Sequence, residues 1–526
     1  MLPFPDTSVP LNAKDLCSNP KSIVSNINFF ENAALFIISI SLLLRLFFIS
    51  YNDLLVEEAY YWNYAKHLDL SYLDHPPMVA VLIKLTTSLF GTHEFSVRIA
   101  SLLCWLLTAF YSFKLTQLIT RGTGLYAVLL LAILPFFFLH SLVMTPDAPL
   151  IGCWSATIYC LYRALVLDEP QYWYTAGLWL GLGLLSKYTI VLLGPATLLY
   201  LCIVPTARRW LTRREPYLAV LITTLFFTPV IYWNATHEWV SFVFQSTRRL
   251  ESGHLFSFHH LLGLLMFFLM PPGIVSFWRL FHPNSIDTLP VEIKTKRFLQ
   301  VFTLVPLAVF ATFSMSHEIR FNWIGPALLP IIPWLARLIK DAKLTRALNI
   351  RLCWLITALL LLVFYSYSLF VISFGTPKAT YQRLFVKYIA WSDLTRQIHT
   401  IAKNIEAKTH TTPIIVPLDL YNINSELSFY QAKFLANGDI QKSYPTLGRH
   451  IFGGDSLMYK YWAKETNLAG KTLIILSKEL DNFYYTVIRS HVIEKSPLLT
   501  LWAHSPLRGA QTTPYYYQMV ELRPYK

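Results

Sequence analysis

Charge is what this sequence has least of. Asp, Glu, Lys and Arg make up only 14% of its 526 residues, where a soluble domain carries about a quarter. Hydrophobic residues reach 54%. That imbalance excludes the string of soluble domains that the length alone would suggest. Cysteine is also sparse: Cys17, Cys104, Cys153, Cys160, Cys202 and Cys353. None follows Cys353, so the C-terminal portion can hold no disulfide of its own, and no spacing matches a metal site. There is no GxGxxG fingerprint and no P-loop, which argues against a nucleotide-bound substrate. The polar N-terminal tail lacks the charged-then-apolar pattern of a cleaved signal peptide. The first span is therefore expected to serve as an uncleaved signal. No internal repeat or low-complexity tract is evident.

What is present is long apolar runs. A membrane span needs about 20 mostly apolar residues. Candidate spans are 33–51, 97–119, 123–142, 147–166, 172–185, 187–204, 216–234, 259–279, 298–315, 323–339 and 352–375, about eleven in all, the fifth being short. The sequence thus predicts an α-helical polytopic membrane protein. The net charge of +14 is gathered in loops between spans, which reads as the positive-inside pattern and not as a nucleic-acid surface. These loops hold Arg208, Arg209, Arg213 and Arg214; Lys294, Lys296 and Arg297; and Arg337, Lys340, Lys343, Arg346 and Arg351. If all three are cytoplasmic, the N-terminus lies inside and the C-terminal portion outside.

The same alternation puts five polar spots on one outer face. They are the Glu57 loop, Thr145-Pro146-Asp147, Ser186-Lys187-Tyr188, the loop from Asn234 to His260, and Ser316 to Asn322. Polar residues without a shared role would fall on both sides, so one face suggests one site. Beyond Pro377 the composition changes. Ser392 is placed to cap a helix carrying Leu394, Ile398, Ile401 and Ile405; Pro413–Leu418, Leu473–Leu476 and Tyr515–Leu522 read as strands, and Ser425–Phe434 as a helix. The expected organisation is a cytoplasmic tail (1–32), a membrane domain (33–376) with an outer loop (52–96), and a small extracytoplasmic α/β domain (377–526).

Ionisable groups beside hydrocarbon are expensive and usually functional. Glu57 and Glu58 open the run Glu-Glu-Ala-Tyr-Tyr-Trp. On a helix they project about 100° apart, so one can face a site as a base while the other pairs; the alternative is a solvated acidic helix start. Asp147 is either a helix cap or a second site carboxylate. Lys187 is either a snorkelling lysine or a phosphate contact. His317, Glu318, Arg320 and Asn322 suit either an anionic substrate or interface anchoring, and Arg248 and Arg249 add positive charge on the outer side. His237, His254, His259 and His260 match no standard metal spacing. Asn234-Ala235-Thr236 is a glycosylation sequon at a membrane edge.

The arrangement resembles the polytopic lipid-linked glycosyltransferases of the GT-C fold, in the bacterial branch of the dolichyl-phosphate-mannose-protein mannosyltransferase family, with the lipid A aminoarabinose transferases as relatives. The resemblance rests on Glu57-Glu58-Ala59-Tyr60-Tyr61-Trp62, then Asp74-His75-Pro76-Pro77, Val97-Arg98, Asp147, and Leu185-Ser186-Lys187-Tyr188. It covers the first 340 residues. The family usually places Asp where Glu57 stands, which leaves the base open between Glu57 and Glu58. The resemblance implies an inverting transfer of a sugar from a polyprenyl-phosphate donor to an envelope lipid, glycan or protein hydroxyl on the outer face. It implies Glu57, Glu58 and Asp147 as catalytic residues, Lys187, Arg320 and Arg248 at the donor phosphate, and Tyr60, Tyr61, Asp74, His75 and His317 at the substrate. It requires no cofactor, with a divalent metal left open. The implied place is a bacterial inner membrane with the C-terminal domain periplasmic. The competing class is a transporter or flippase of lipid-linked sugars, which would carry its charges at mid-membrane.

Overall fold

The computed structural model describes residues 20–247, 255–281, 292–340, 350–374, 390–463, 468–504 and 511–523. The first part is helical: α1 (Pro20–Tyr51), α2 (Val56–Lys66), α3 (Met78–Phe90), α4 (Glu94–Ile119), α5 (Gly124–Ile133), α6 (Pro135–Leu139), α7 (Asp147–Leu165), α8 (Gln171–Leu184), α9 (Leu193–Ile203), α10 (Arg214–Thr236), α11 (Val240–Gln245), α12 (Phe258–Phe281), α13 (Ile293–Ser314), α14 (Ile332–Lys340) and α15 (Ile350–Phe374). Helix begins at Pro20, well ahead of the apolar run and inside the expected tail.

Six described helices are long and apolar enough to cross a membrane: the apolar part of α1 from Phe29, then α4, α10, α12, α13 and α15; a seventh is reached if the pair Tyr188–Ile203 and Pro205–Thr212, bent by 118°, counts as one span. This count rests on length and composition alone and is lower than the eleven runs read from the sequence. Helix α7 is buried along almost its whole length, so protein and not lipid is its surroundings, and polar Ser155 and Thr157 are tolerated there. The run 123–142 breaks at Pro135, which lacks the N–H needed to continue α5. The run 323–339 starts as a tight 3-10 turn over Gly325–Ile331, with Pro326 and Pro330 inside it, before α14.

The helix ends sort the charges as the loops predict. Arg163 near the end of α7 pairs with Glu169, Arg297 donates to the carbonyl of Ile203 at 3.0 Å, and Lys340 donates to that of Arg121 at 2.7 Å. The opposite ends of the same helices carry Asp147, Ser316–Asn322 and Glu94. One basic end and one acidic, aromatic end result.

The C-terminal part is an α/β unit. Helices α16 (Trp391–Thr409) and α17 (Asn422–Ala436) accompany β1 (Ile414–Pro417), β2 (Thr472–Ser477), β3 (Val492–Glu494), β4 (Leu499–His504) and β5 (Gln511–Leu522). The sheet order is β1-β2-β5-β3, with β4 also on β5. Only β1 and β2 run parallel. The run Leu473–Leu476 does not alternate because both faces of β2 are covered: Ile474 and Leu476 face one core, Leu473 and Ile475 another. The predicted elements are present, β1 slightly shorter than expected and β2, β5 and α17 slightly longer, and β3 and β4 are additional. Ser392 is not the cap. Ala390 holds that place, and the Ser392 N–H and hydroxyl lie 3.3 Å from Asp53 Oδ2.

Residues 52–96 and this unit share a core. Ala59, Tyr60, Tyr64, Val79 and Ile83 pack in one cluster with Leu394, Ile398, Leu427, Phe429 and Ile474. Polar bonds fix the register: Leu54 N–H donates to Tyr430 Oη at 2.9 Å, and Lys433 Nζ lies 2.7 Å from both oxygens of Glu94. Helix α17 thereby lies directly against α2.

Candidate active site

The two glutamates of α2 part company. Glu58 is wholly buried. Its Oε2 lies 2.7 Å from Arg98 Nη2, and it also accepts the Leu55 N–H at 3.0 Å; Oε1 accepts the Met144 N–H at 3.0 Å. Arg98 spends its remaining donors on the carbonyls of Asn52 and Asp53, at 2.8 and 2.7 Å. Glu58 thus ties α2 to α4 and to the segment before α7. Glu57, one position earlier, is open to water. Protein still surrounds it on its other sides, and that partial desolvation, with a smaller push from the Glu58 charge, raises its pKa against a backbone hydrogen bond that lowers it.

Asp147 and Lys187 meet. Lys187 Nζ is 2.7 Å from Asp147 Oδ1, and Asn322 Nδ2 donates to Oδ2 at 2.7 Å. Both charged groups are buried, so Lys187 does not snorkel. Asp147 does not cap α7 with its side chain, since Pro146 is the N-cap. Three of the five polar spots therefore converge on one carboxylate. The Met78 N–H donates to the Leu185 carbonyl at 2.9 Å, bringing the Asp-His-Pro-Pro turn to the same place. Beside it lies a cavity of about 350 Å³, walled by Lys187, His75, Tyr188, Val309, Phe313 and Trp323 among others. Among the described residues it offers one cation, Lys187, amid mainly apolar and aromatic surfaces.

The aromatics of α2 complete the cluster. Asp74 Oδ1 accepts from Tyr60 Oη at 3.2 Å and, more closely, from Tyr64 Oη. Its backbone carbonyl accepts from Gln245. The Tyr61 hydroxyl is pushed well above its usual range, first by burial, then by Asp74, Tyr421, Asp147 and Glu57. Tyr421 is raised by burial, Glu57, Asp74 and Asp419, with Arg320 opposing. These couplings bring Glu57, Asp147, Arg320 and Tyr421 into one electrostatic neighbourhood. Arg320 is exposed and makes no salt bridge among the described residues. His317 is buried, stacked on Phe313 at 4.6 Å, with Nδ1 2.8 Å from Ser316 Oγ. Arg248 lies outside the described residues.

No group of three or more His, Cys, Asp or Glu among the described residues could hold a metal ion. His237 stacks on Trp233 at 4.1 Å. Asn234 is buried and its amide is bonded to Val230, Ser241 and Phe242, which leaves no room for a glycan. Sequence reasoning missed Tyr421 and Glu94, and it noted Arg98 only as part of a motif. A charge inside an apolar run was the available signal for Arg98; no local signal marks Tyr421.

A helical membrane domain with one acidic, aromatic end roofed by a small α/β unit defines the GT-C fold, in a multi-pass membrane protein. ArnT from Cupriavidus metallidurans in the apo state has the same architecture, with a TM-score of 0.62 and 13% identity, over 92% of this chain and 97% of that one. ArnT bound to undecaprenyl phosphate gives 0.63 and 14%, with the same coverage. Residues 74–233 match the dolichyl-phosphate-mannose-protein mannosyltransferase family. The lipid A galacturonosyltransferase RgtD of Rhizobium johnstonii is 26% identical over 192 residues, 35% of this chain and 39% of that protein. The match to RgtD thus spans well under half of that relative's length. The fold is thus that of the ArnT structures, and residues 74–233 carry the segment that matches the mannosyltransferase family.

Proposed function

We propose that this protein is a membrane glycosyltransferase that moves a sugar from a polyprenyl-phosphate carrier to an acceptor hydroxyl of an envelope lipid, glycan or protein. The observation that carries it is the buried Lys187–Asp147–Asn322 cluster beside a largely apolar cavity, with the accessible Glu57 in the same electrostatic neighbourhood. An apolar cavity suits a prenyl chain, and a desolvated ammonium suits its phosphate. ArnT has been solved with undecaprenyl phosphate, and RgtD acts on lipid A, which favours a prenyl-phosphate donor and a lipid A-like acceptor here.

In this reading the acceptor oxygen attacks the anomeric carbon from the side opposite the phosphate. The bond from that carbon to the phosphate oxygen breaks, and the phosphate leaves on its lipid with the electron pair. Lys187 and Arg320 offset the charge that develops there. Glu57 takes the acceptor's proton, and its raised pKa brings its basicity nearer to neutral pH. Glu58 holds α2 in place through Arg98. Asp147 holds Lys187 and is within reach to orient the acceptor. His75 and His317, with Tyr60, Tyr61 and Asp74, shape the walls. Direct displacement inverts the anomeric centre. Residues 33–376 form the membrane domain with its outer loop 52–96. Residues 377–526 form the outer, periplasmic roof, in a bacterial inner membrane.

The test is reconstitution. Protein in liposomes is given an undecaprenyl-phosphate sugar and lipid A, and the lipids are weighed by mass spectrometry. The expected product is lipid A heavier by one sugar residue, with free undecaprenyl phosphate in equal amount. Release of the sugar as free monosaccharide only, or movement of intact donor across the bilayer without cleavage, would contradict the reading.

A further inference from the structure

A second cavity, of about 740 Å³, lies away from the Lys187 cluster, between the end of α2, α17 and the segment 443–463. The transfer chemistry above makes no use of it. Its walls mix aromatic faces with fixed polar groups. Trp462 stacks on the His67 ring at 4.7 Å and 17°, and its edges are held by Tyr459 at 5.2 Å and Tyr64 at 5.6 Å. Gln431 holds the far wall rigid: its Oε1 accepts the Tyr444 N–H at 2.7 Å, and its Nε2 donates to the Tyr444 carbonyl at 3.3 Å. Ser428 and Thr446 present hydroxyls 3.1 Å apart. Lys66 reaches the cavity, and among the described residues no Asp or Glu lines it. Among the described residues Lys66 makes no salt bridge; its Nζ lies 5.9 Å from the Trp62 ring.

Aromatic faces with clustered hydroxyls and amides fit the alternating C–H and O–H surfaces of a pyranose. One cation without a carboxylate adds a preference for negative charge. Lys66 lies nine residues beyond Glu57 on the same helix, about 14 Å along its axis and about half a turn round it, so a ligand joining the two must reach around the end of α2. We propose that the cavity between α2 and α17 is a subsite for a phosphate-bearing saccharide, which holds a part of the acceptor remote from the reacting hydroxyl. This rests on the transferase reading for its purpose, though not for its measurement. Binding energy gathered there orients the acceptor toward Glu57.

The experiment is calorimetry on the full-length protein in nanodiscs without donor. The probe is a β-1,6-linked glucosamine disaccharide phosphorylated at both ends and free of acyl chains. The wild type and Glu57→Gln should bind it alike. Lys66→Gln, a change at an exposed site, should weaken binding about tenfold or more, the loss expected for a charge-assisted hydrogen bond. Ala436→Trp, which fills the cavity from its exposed rim, should abolish it. The dephosphorylated disaccharide should bind the wild type no better than the phosphorylated one binds Lys66→Gln. Inorganic phosphate at equal concentration should not compete. Unchanged affinity in both Lys66→Gln and Ala436→Trp overturns the subsite, as does equal competition by inorganic phosphate. Binding is read without turnover, so a failure of the transferase reading would leave the outcome legible.

Discussion

Glu58 Oε2 and Arg98 Nη2 lie 2.7 Å apart with both side chains sealed from solvent. Such a pair gives little net stability over an apolar pair, but removing one partner strands the other charge at a cost of about 3–5 kcal/mol. Glu58→Gln and Arg98→Ala should therefore lower the yield of folded protein, whereas Glu57→Gln should not. Fluorescence-detected size exclusion of tagged variants checks this. A normal profile for Arg98→Ala would show that the pair is not what holds α2 to α4.

Donor use should depend on charge at the cavity. Lys187→Ala and Arg320→Ala each remove a charge-assisted contact worth about 1.5–3 kcal/mol, so the donor KM should rise roughly ten- to a hundredfold. Lys187→Ala also leaves Asp147 unpaired, so the double change with Asp147→Asn serves as the folding control. Kinetics at matched protein levels decide it. Wild-type donor KM in both single variants removes the phosphate assignment.

The glutamates and the lysine were legible in the sequence because ionisable residues stand out at the edge of apolar runs. What separates Glu57 from Glu58 was not, because it depends on Arg98, forty residues away, closing on one of them. The long lipid-facing helices such as α10 and α15 were likewise evident from hydrophobicity alone. Buried α7 and the broken pair α5–α6 also read as plain apolar runs, because composition does not show that neighbours enclose α7 or that Pro135 breaks the other run. The roof was legible as an α/β unit, yet its docking was not. Leu54 and Tyr430, bonded across 376 residues, carry no mutual signal in the chain.

The docking surface also predicts a pH effect on stability. Glu426 on α17 is wholly buried, and neither carboxyl oxygen finds a hydrogen-bond partner among the described residues. Burial, helped by the nearby charges of Asp53 and Glu58, pushes its pKa well above the usual range. The folded state thus keeps a proton that the unfolded chain releases near pH 4.3 or so. Stability from this group is present below that pH and declines as pH rises toward the folded value. Glu426→Leu should flatten that decline and gain about 1–3 kcal/mol at neutral pH. Thermal melts at pH 5 and pH 8 test it; an equal or larger loss at pH 8 in the variant contradicts the assignment.

Orientation is open to a direct check. Reporter fusions after Lys340 and after Lys526 should report opposite faces, the first cytoplasmic and the second periplasmic. A cytoplasmic signal from the C-terminal fusion would move the roof, and the site beneath it, to the wrong side for an outer-face acceptor.

The central claim is that Glu57 takes the acceptor's proton. The measurement is kcat against pH for wild type, Glu57→Gln and Glu57→Asp in liposomes with a lipid-phosphate sugar, at matched levels of folded protein. Because the Glu57 pKa is raised, the wild-type rate should fall with decreasing pH through an apparent pKa above about 4.3, the ordinary glutamate value. Glu57→Gln should lose about 10²–10⁴-fold at every pH and with it the acid limb, while Glu57→Asp keeps measurable turnover. Wild-type kcat in Glu57→Gln, with the acid limb intact, would contradict the account.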